Sequence, residues 1–163
     1  MKMIQIEKGS ILPKPDDSLI LEKEKYFRIK FPNSYIDFVK QYNGGIPIEH
    51  LLSINGNDYF AERFLCILGD KESYDAGWFD IGVVTSGEIG ERLAIDENEI
   101  GLQIIPILQL VGKDYICLDF RNNKLEPEVC IWYNSKSEYC KPFTNKISNN
   151  FEEFLSILDI RNY

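Results

Sequence analysis

His50 is the sole histidine of the chain, so any histidine-dependent mechanism has to run through this one residue. A multi-histidine metal site would need further imidazoles, and a nucleophile–histidine pair would need an activated Ser or Cys beside it. The surrounding Pro47-Ile48-Glu49-His50-Leu51 reads as ordinary structure. Ser86, in Val84-Thr85-Ser86-Gly87, lacks the preceding glycine of a nucleophile elbow, and no G-x-x-x-x-G-K-[ST] phosphate loop occurs. The adjacent acids Asp96 with Glu97 and Glu152 with Glu153 diverge if they lie on helices, which suits solvated surface better than paired acid–base work. Asp119 is different. Leu118 and Phe120 flank it in an apolar run, where burial demands hydrogen bonds or raises the pKa. A structural role is expected, such as accepting from backbone amides of the following turn.

Cys66, Cys117, Cys130 and Cys140 are too few and too scattered for a disulfide scaffold, and three of them sit in apolar strand-like runs. They read as reduced core thiols. A four-cysteine zinc site would take ligands in close pairs such as C-x-x-C, and no such pair is present. No residue is therefore assigned to catalysis, metal or cofactor. The expectation is a binding protein rather than an enzyme, with Asp119 acting together with His50 as the catalytic alternative.

The elements that position these residues follow from pattern and punctuation. Asp16 and Asp17 precede a helix over Ser18 to Phe27, with Leu19 and Tyr26 seven residues apart on one face. Pro32 opens a second helix whose Tyr35, Phe38, Val39 and Tyr42 fall at i, i+3, i+4 and i+7, and Asn43-Gly44-Gly45 stops it. Asn55-Gly56 marks a tight hairpin between Ile46 to Ile54 and Tyr59 to Leu68. A strand is expected near Phe79 to Val84, followed by a short helix. Ile104 to Leu108, Tyr115 to Phe120 and Val129 to Tyr133 suit a three-stranded meander. Asn149 is placed to cap a closing helix carrying Phe151, Phe154, Leu155 and Leu158 on one face. The sum is an α+β fold in one domain, a mainly antiparallel sheet of about five to six strands with helices on one face.

With 163 residues and 44% hydrophobic content there is material for one substantial core. Glu7 and Lys8 interrupt the apolar stretch a signal peptide would need, and no run approaches the roughly 20 apolar residues of a membrane span. A cytoplasmic protein is expected, with its oligomeric state open. The net charge of −8 and pI near 4.7 argue against nucleic acid, whose phosphates require clustered Lys and Arg, and favour a basic partner. The charge is concentrated. Between residues 70 and 99 nine acids face only Lys71 and Arg92, a local charge of −7 that leaves −1 for the rest.

Phe31-Pro32-Asn33-Ser34-Tyr35-Ile36-Asp37-Phe38, followed by Tyr42-Asn43-Gly44-Gly45, resembles the proline-started, glycine-ended helix of the SUKH superfamily (Smi/Knr-type). That group joins fungal cell-wall assembly regulators to bacterial toxin-immunity proteins. Ile105-Pro106-Ile107 is similar to its proline-containing strand, Tyr115 to Phe120 to its strand ending at an aspartate, Val129-Cys130-Ile131-Trp132 to its tryptophan strand, and Phe151 to Leu155 to its closing helix. The turn at Gln109 to Asp114 departs from the more acidic, glycine-richer turn common in the family. The resemblance implies an immunity protein that occludes a cognate toxin, nucleases being frequent among such toxins, or else a regulatory scaffold like the fungal relatives. A nuclease presents a basic cleft, to which an acidic surface is the electrostatic complement. The candidate partner-binding residues are accordingly Asp70, Glu72, Tyr74, Asp75, Trp78, Asp80, Glu88, Glu91, Asp96, Glu97 and Glu99. Trp78 and Phe79 could equally be core residues.

Overall fold

The structure is a computed structural model that describes residues 5–87, 89–98 and 101–160, excepting the side chains of 159 and 160. Helix α1 (Asp17–Phe27) starts where the Asp16 carboxylate accepts the Leu19 amide at 2.8 Å, an N-cap that satisfies one of the free amides of the first turn. Its buried stripe is Ile20, Lys23 and Phe27. The expected face is thus corrected: Tyr26 is exposed and Leu19 only partly covered. Helix α2 (Asn33–Tyr42) follows Pro32, whose carbonyl accepts the amides of Tyr35 and Ile36, and it buries Tyr35, Phe38 and Val39 as the spacing indicates. Gly44, at φ +66°, then takes the left-handed conformation that turns the chain away.

Strands β1 (Leu51–Ile54) and β2 (Asn57–Phe64) form the expected hairpin, with Asn55 at φ +52° and Gly56 at φ +82° supplying the two positive φ angles of its tight turn. Strands β3 (Ile104–Leu110), β4 (Tyr115–Asp119), β5 (Glu128–Trp132) and β6 (Thr144–Ser148) continue it. All six pair antiparallel in chain order. Pro106 has no amide to donate, and the ladder register shifts there, between Pro106 and Leu108, so β3 accommodates a proline in a central strand. Strand β6 has no local signature, because Thr144, Asn145 and Lys146 carry too little apolar pattern to announce it.

Helix α5 (Phe151–Ile160) closes the chain, capped by Asn150 rather than Asn149: the Asn150 Oδ1 accepts the Glu153 amide at 2.8 Å. Phe38 of α2, Phe64 of β2 and Phe151 of α5 meet ring to ring at 4.8–5.4 Å, so α2 and α5 share one face of the sheet. Trp132 points the other way from Ile131 by strand alternation, and the chain at Arg92 closes over it, the indole N–H donating to the Arg92 carbonyl at 3.1 Å. One-sided packing therefore holds for α2 and α5, while the sheet centre is buried on both faces: every residue of β4 is buried.

The expected strand at residues 79–84 is absent. Asp75–Phe79 is a 3-10 turn, Asp80 makes a single parallel bridge with Cys66, and Ile81–Ser86 is a helix, α3, followed by the one-turn helix α4 (Gly90–Leu93). The β-branched residues Ile81, Val83, Val84 and Thr85 suggested a strand, but Asp80 overrides them by capping α3 with its carboxylate. Cys66, Cys117 and Cys130 are buried, Cys140 is partly so, and all four are free thiols.

Candidate functional site

Residues 70–87 and 89–98 form two 3-10 turns (Lys71–Ser73 and Asp75–Phe79) followed by α3 and α4. Gly77 makes the first two elements fit, because its Cα lies so close to the Lys71 carbonyl that any Cβ would collide with it. This packing sends Trp78 and Phe79 in different directions. Trp78 is 79% exposed. Phe79 is partly buried against the core beneath the Arg63 guanidinium, 5.4 Å from the ring centroid. Asp70, Glu72 and Asp75, which precede Trp78 along the same two turns, are exposed, and Tyr74 between them is 39% exposed. Tyr74 and Asp70 also line a cleft of about 180 Å³ with Pro13, Leu19 and Leu68.

Asp80 does not belong to this surface. Its side chain is fully buried and accepts the amides of Leu68 (2.9 Å), Gly82 (2.8 Å) and Val83 (3.3 Å). Lys23 Nζ donates to it at 3.1 Å and Lys71 Nζ stands 3.6 Å away. A buried carboxylate needs such compensation, and a group already holding two ammonium ions and three amides has nothing left for a partner.

The same arrangement engages both bases of the segment within the protein. Lys71 is turned toward Asp80, and Arg92 lies over the Trp132 ring with its Nη1 on the Asn134 carbonyl at 3.2 Å. Glu91, Asp96 and Glu97 are exposed further along. Asp96 accepts the Asn98 amide, and Glu97 accepts the Tyr139 hydroxyl at 3.1 Å, which raises the Tyr139 phenol above its ordinary pKa. Glu88 and Glu99 lie outside the described residues. The acids that are described fall into two groups, one around Trp78 and one beside Tyr139, separated along the chain by α3.

The catalytic alternative finds no support in the geometry. His50 Nδ1 is bonded to the Ala61 carbonyl at 2.9 Å, and Ala61 pairs with Leu110 at one end of β3. Asp119 pairs with Ile104 at the other end, roughly 20 Å away at about 3.3 Å per residue. Asp119 instead accepts the Arg121 amide at 3.0 Å, as expected for the following turn, and both arms of the Arg121 guanidinium at 2.9 and 2.8 Å. Those bonds raise the Arg121 pKa further.

Lys23 and Lys71 are the residues sequence reasoning missed, yet a signal was present. Phe79 and Ile81 flank Asp80 just as Leu118 and Phe120 flank Asp119, and an acid in an apolar run demands internal partners.

No curated protein or solved structure matches the chain. A family model, SUKH_6, described as SMI1-KNR4 cell-wall, matches residues 17–155, from the first residue of α1 into α5. That span takes in α1, α2, the six strands, the acidic segment and the first half of α5, and the chain therefore belongs to the SMI1-KNR4 family of the SUKH superfamily.

Proposed function

We propose that this protein is an immunity protein: it binds a cognate toxin in the cytoplasm and blocks it by occlusion, without catalysis. The observation that carries the reading is Trp78, a large apolar side chain left 79% exposed among Asp70, Glu72 and Asp75. Exposing a tryptophan has a solvation cost that an isolated soluble domain has no reason to bear, and buried aromatics at an interface carry much of its binding energy. The neighbouring carboxylates, with the segment's two bases engaged by Asp80 and Trp132, would speed encounter with a basic surface such as the cleft of a nuclease.

Co-expression with the toxin domain encoded beside this protein tests the reading. Growth should be restored and the two proteins should co-purify, while Trp78→Ala combined with Asp70→Asn and Asp75→Asn should lose both effects. Absence of both rescue and complex with the native protein overturns it. A second reading rests on the cell-wall description of the matching family model: a non-catalytic scaffold that uses the same surface on a cellular assembly factor. Recovery of such a factor by pull-down, with no toxin bound, would favour it.

A further inference from the structure

The negative charge of this protein has a counterpart at the C-terminal end of α1. An open groove of about 620 Å³ runs between the C-terminal end of α1, residues 101–103 leading into β3, and the loop after β4. Its floor and walls are apolar: Phe27, Ile29, Leu102 and Phe120, with Leu21 (50% exposed) and Leu125 (85% exposed) standing at the lip. Around it stand Lys25, Arg28, Lys30 and Lys124, all exposed, and none is engaged in an ion pair or side-chain hydrogen bond with a described residue. The acid in the lining, Glu24, is held by the Phe31 amide at 2.8 Å. Four cations against one acid give the groove a local charge of +3 in a chain whose total is −8.

The groove is held in shape. Arg28 adopts the left-handed conformation (φ +58°) that ends α1, and the Leu102 amide donates to the Phe27 carbonyl at 3.2 Å. Gly101, at φ +90°, packs so closely on that carbonyl that a Cβ would clash. Preformed concavity with apolar lining and converging charges is what a binding site needs.

We propose that this groove is a second docking site, one that takes an extended acidic peptide segment bearing a bulky apolar side chain. Charge complementarity selects the acidic occupant: an apolar side chain seated among Phe27, Leu102 and Phe120 would place its neighbouring carboxylates among the four free cations. The groove is open along its length, which suits a chain passing through rather than an enclosed small molecule. This inference does not draw on Trp78 or the exposed acids of the function proposed above, and it concerns the opposite charge.

The test uses a fluorescein-labelled hexapeptide, Glu-Asp-Leu-Phe-Asp-Glu, titrated with the full chain. Saturable binding that weakens with added salt is expected. The charge-reversed variant Lys25→Glu/Lys30→Glu/Lys124→Glu should weaken it by about tenfold or more, since several exposed ion contacts are lost together. Leu125→Asp should do likewise through the apolar lip. Reversal of three cations elsewhere, Lys8→Glu/Lys14→Glu/Lys141→Glu, should change it far less, which separates the groove from net charge. Circular dichroism confirms that each variant is folded. No saturable binding, or equal weakening by both charge-reversed variants, overturns the proposal. So does tight binding of dodecanoate at the groove in place of the peptide. Concentration-dependent self-association of the native chain, abolished by the groove variants, would assign the site to a second copy and overturn the peptide assignment.

Discussion

Lys23 Nζ and Asp80 Oδ1 stand 3.1 Å apart across 57 positions of sequence, both side chains almost wholly shielded from water. The pair ties α1 to the start of α3, and Asp80 adds the amides of Leu68 and Gly82 to the same junction. Asp80 lies two residues after Trp78, at the point where the chain passes from the 3-10 turn into α3.

Removing one partner should therefore cost far more than a surface charge. Asp80→Ala strands the Lys23 ammonium and three amides, for an expected loss of about 3–5 kcal/mol in urea denaturation. The double change Lys23→Met/Asp80→Ala should recover part of that loss, because the uncompensated charge is gone. A loss below about 1 kcal/mol for Asp80→Ala would show that the pair is not buried as described.

Gly82 occupies the first turn of α3, where alanine would normally be favoured by about 1 kcal/mol. A Cβ there would lie 2.7 Å from Lys23 Nζ and 2.9 Å from Asp80 Oδ1. Gly82→Ala should destabilise by about 1–3 kcal/mol despite its better helix propensity. A stabilised variant in thermal unfolding would refute this packing.

Asn43 behaves as a substitute for backbone. Its amide nitrogen donates to the carbonyls of Pro13 (2.8 Å) and Ile67 (2.9 Å), and its Oδ1 accepts the Ile67 amide at 2.8 Å. Asn43→Ala leaves the buried amide and carbonyl of Ile67 and the Pro13 carbonyl without this partner and should cost about 2–4 kcal/mol, while a surface asparagine such as Asn122 changed to Ala should cost under about 0.5 kcal/mol. Chemical denaturation of the two variants side by side measures the difference.

Alkaline pH should weaken the fold. Burial, with the Asp80 charge second, pushes the Cys66 thiol up to about 12, and burial pushes the Tyr115 phenol up to about 12. Burial also raises the Cys117 thiol well above its ordinary value. An unfolded thiol ionises near pH 9 while the folded one keeps its proton. The contribution is therefore fully present below about pH 9 and is lost as pH rises toward 12, by roughly 1.4 kcal/mol per unit for a fully responding group. Under reducing conditions Cys66→Ala should make the decline between pH 9 and 10 shallower, Cys117 supplying what remains. An unchanged slope would place the Cys66 thiol in water.

Trp78→Ala separates an interface aromatic from a core one. With 79% of the residue exposed, the change should alter stability by less than about 0.5 kcal/mol. Complex formation with the toxin domain should weaken at least about tenfold, read by calorimetry or surface plasmon resonance. A large loss of stability would return Trp78 to the core.

Much of the fold could be read locally. The spacing of Tyr35, Phe38 and Val39, the Asn55-Gly56 turn and the apolar runs of β3, β4 and β5 each state their own structure, because a helix period, a positive φ requirement or a β-branched run is a property of neighbouring residues. The family resemblance rests on these same segments and is met by a match over residues 17–155. The α1 stripe misled because Lys23 belongs to the buried face, and a lysine is buried only when a distant carboxylate receives it. Strand β6 is recruited by β5 rather than by its own apolar content.

The acidic segment divides along the same line. Its composition alone determined that nine acids crowd into thirty positions, that only two bases accompany them, and that Trp78 and Phe79 sit among them. Only the tertiary structure decided that Asp80 is internal, that Lys71 pairs with it and Arg92 lies over Trp132, and that of two adjacent aromatic residues Trp78 meets water while Phe79 meets the core. The reason is physical. Charge and hydrophobicity belong to a residue, but burial and ion pairing belong to pairs of residues brought together from opposite parts of the chain, and no local pattern records which pairs those are.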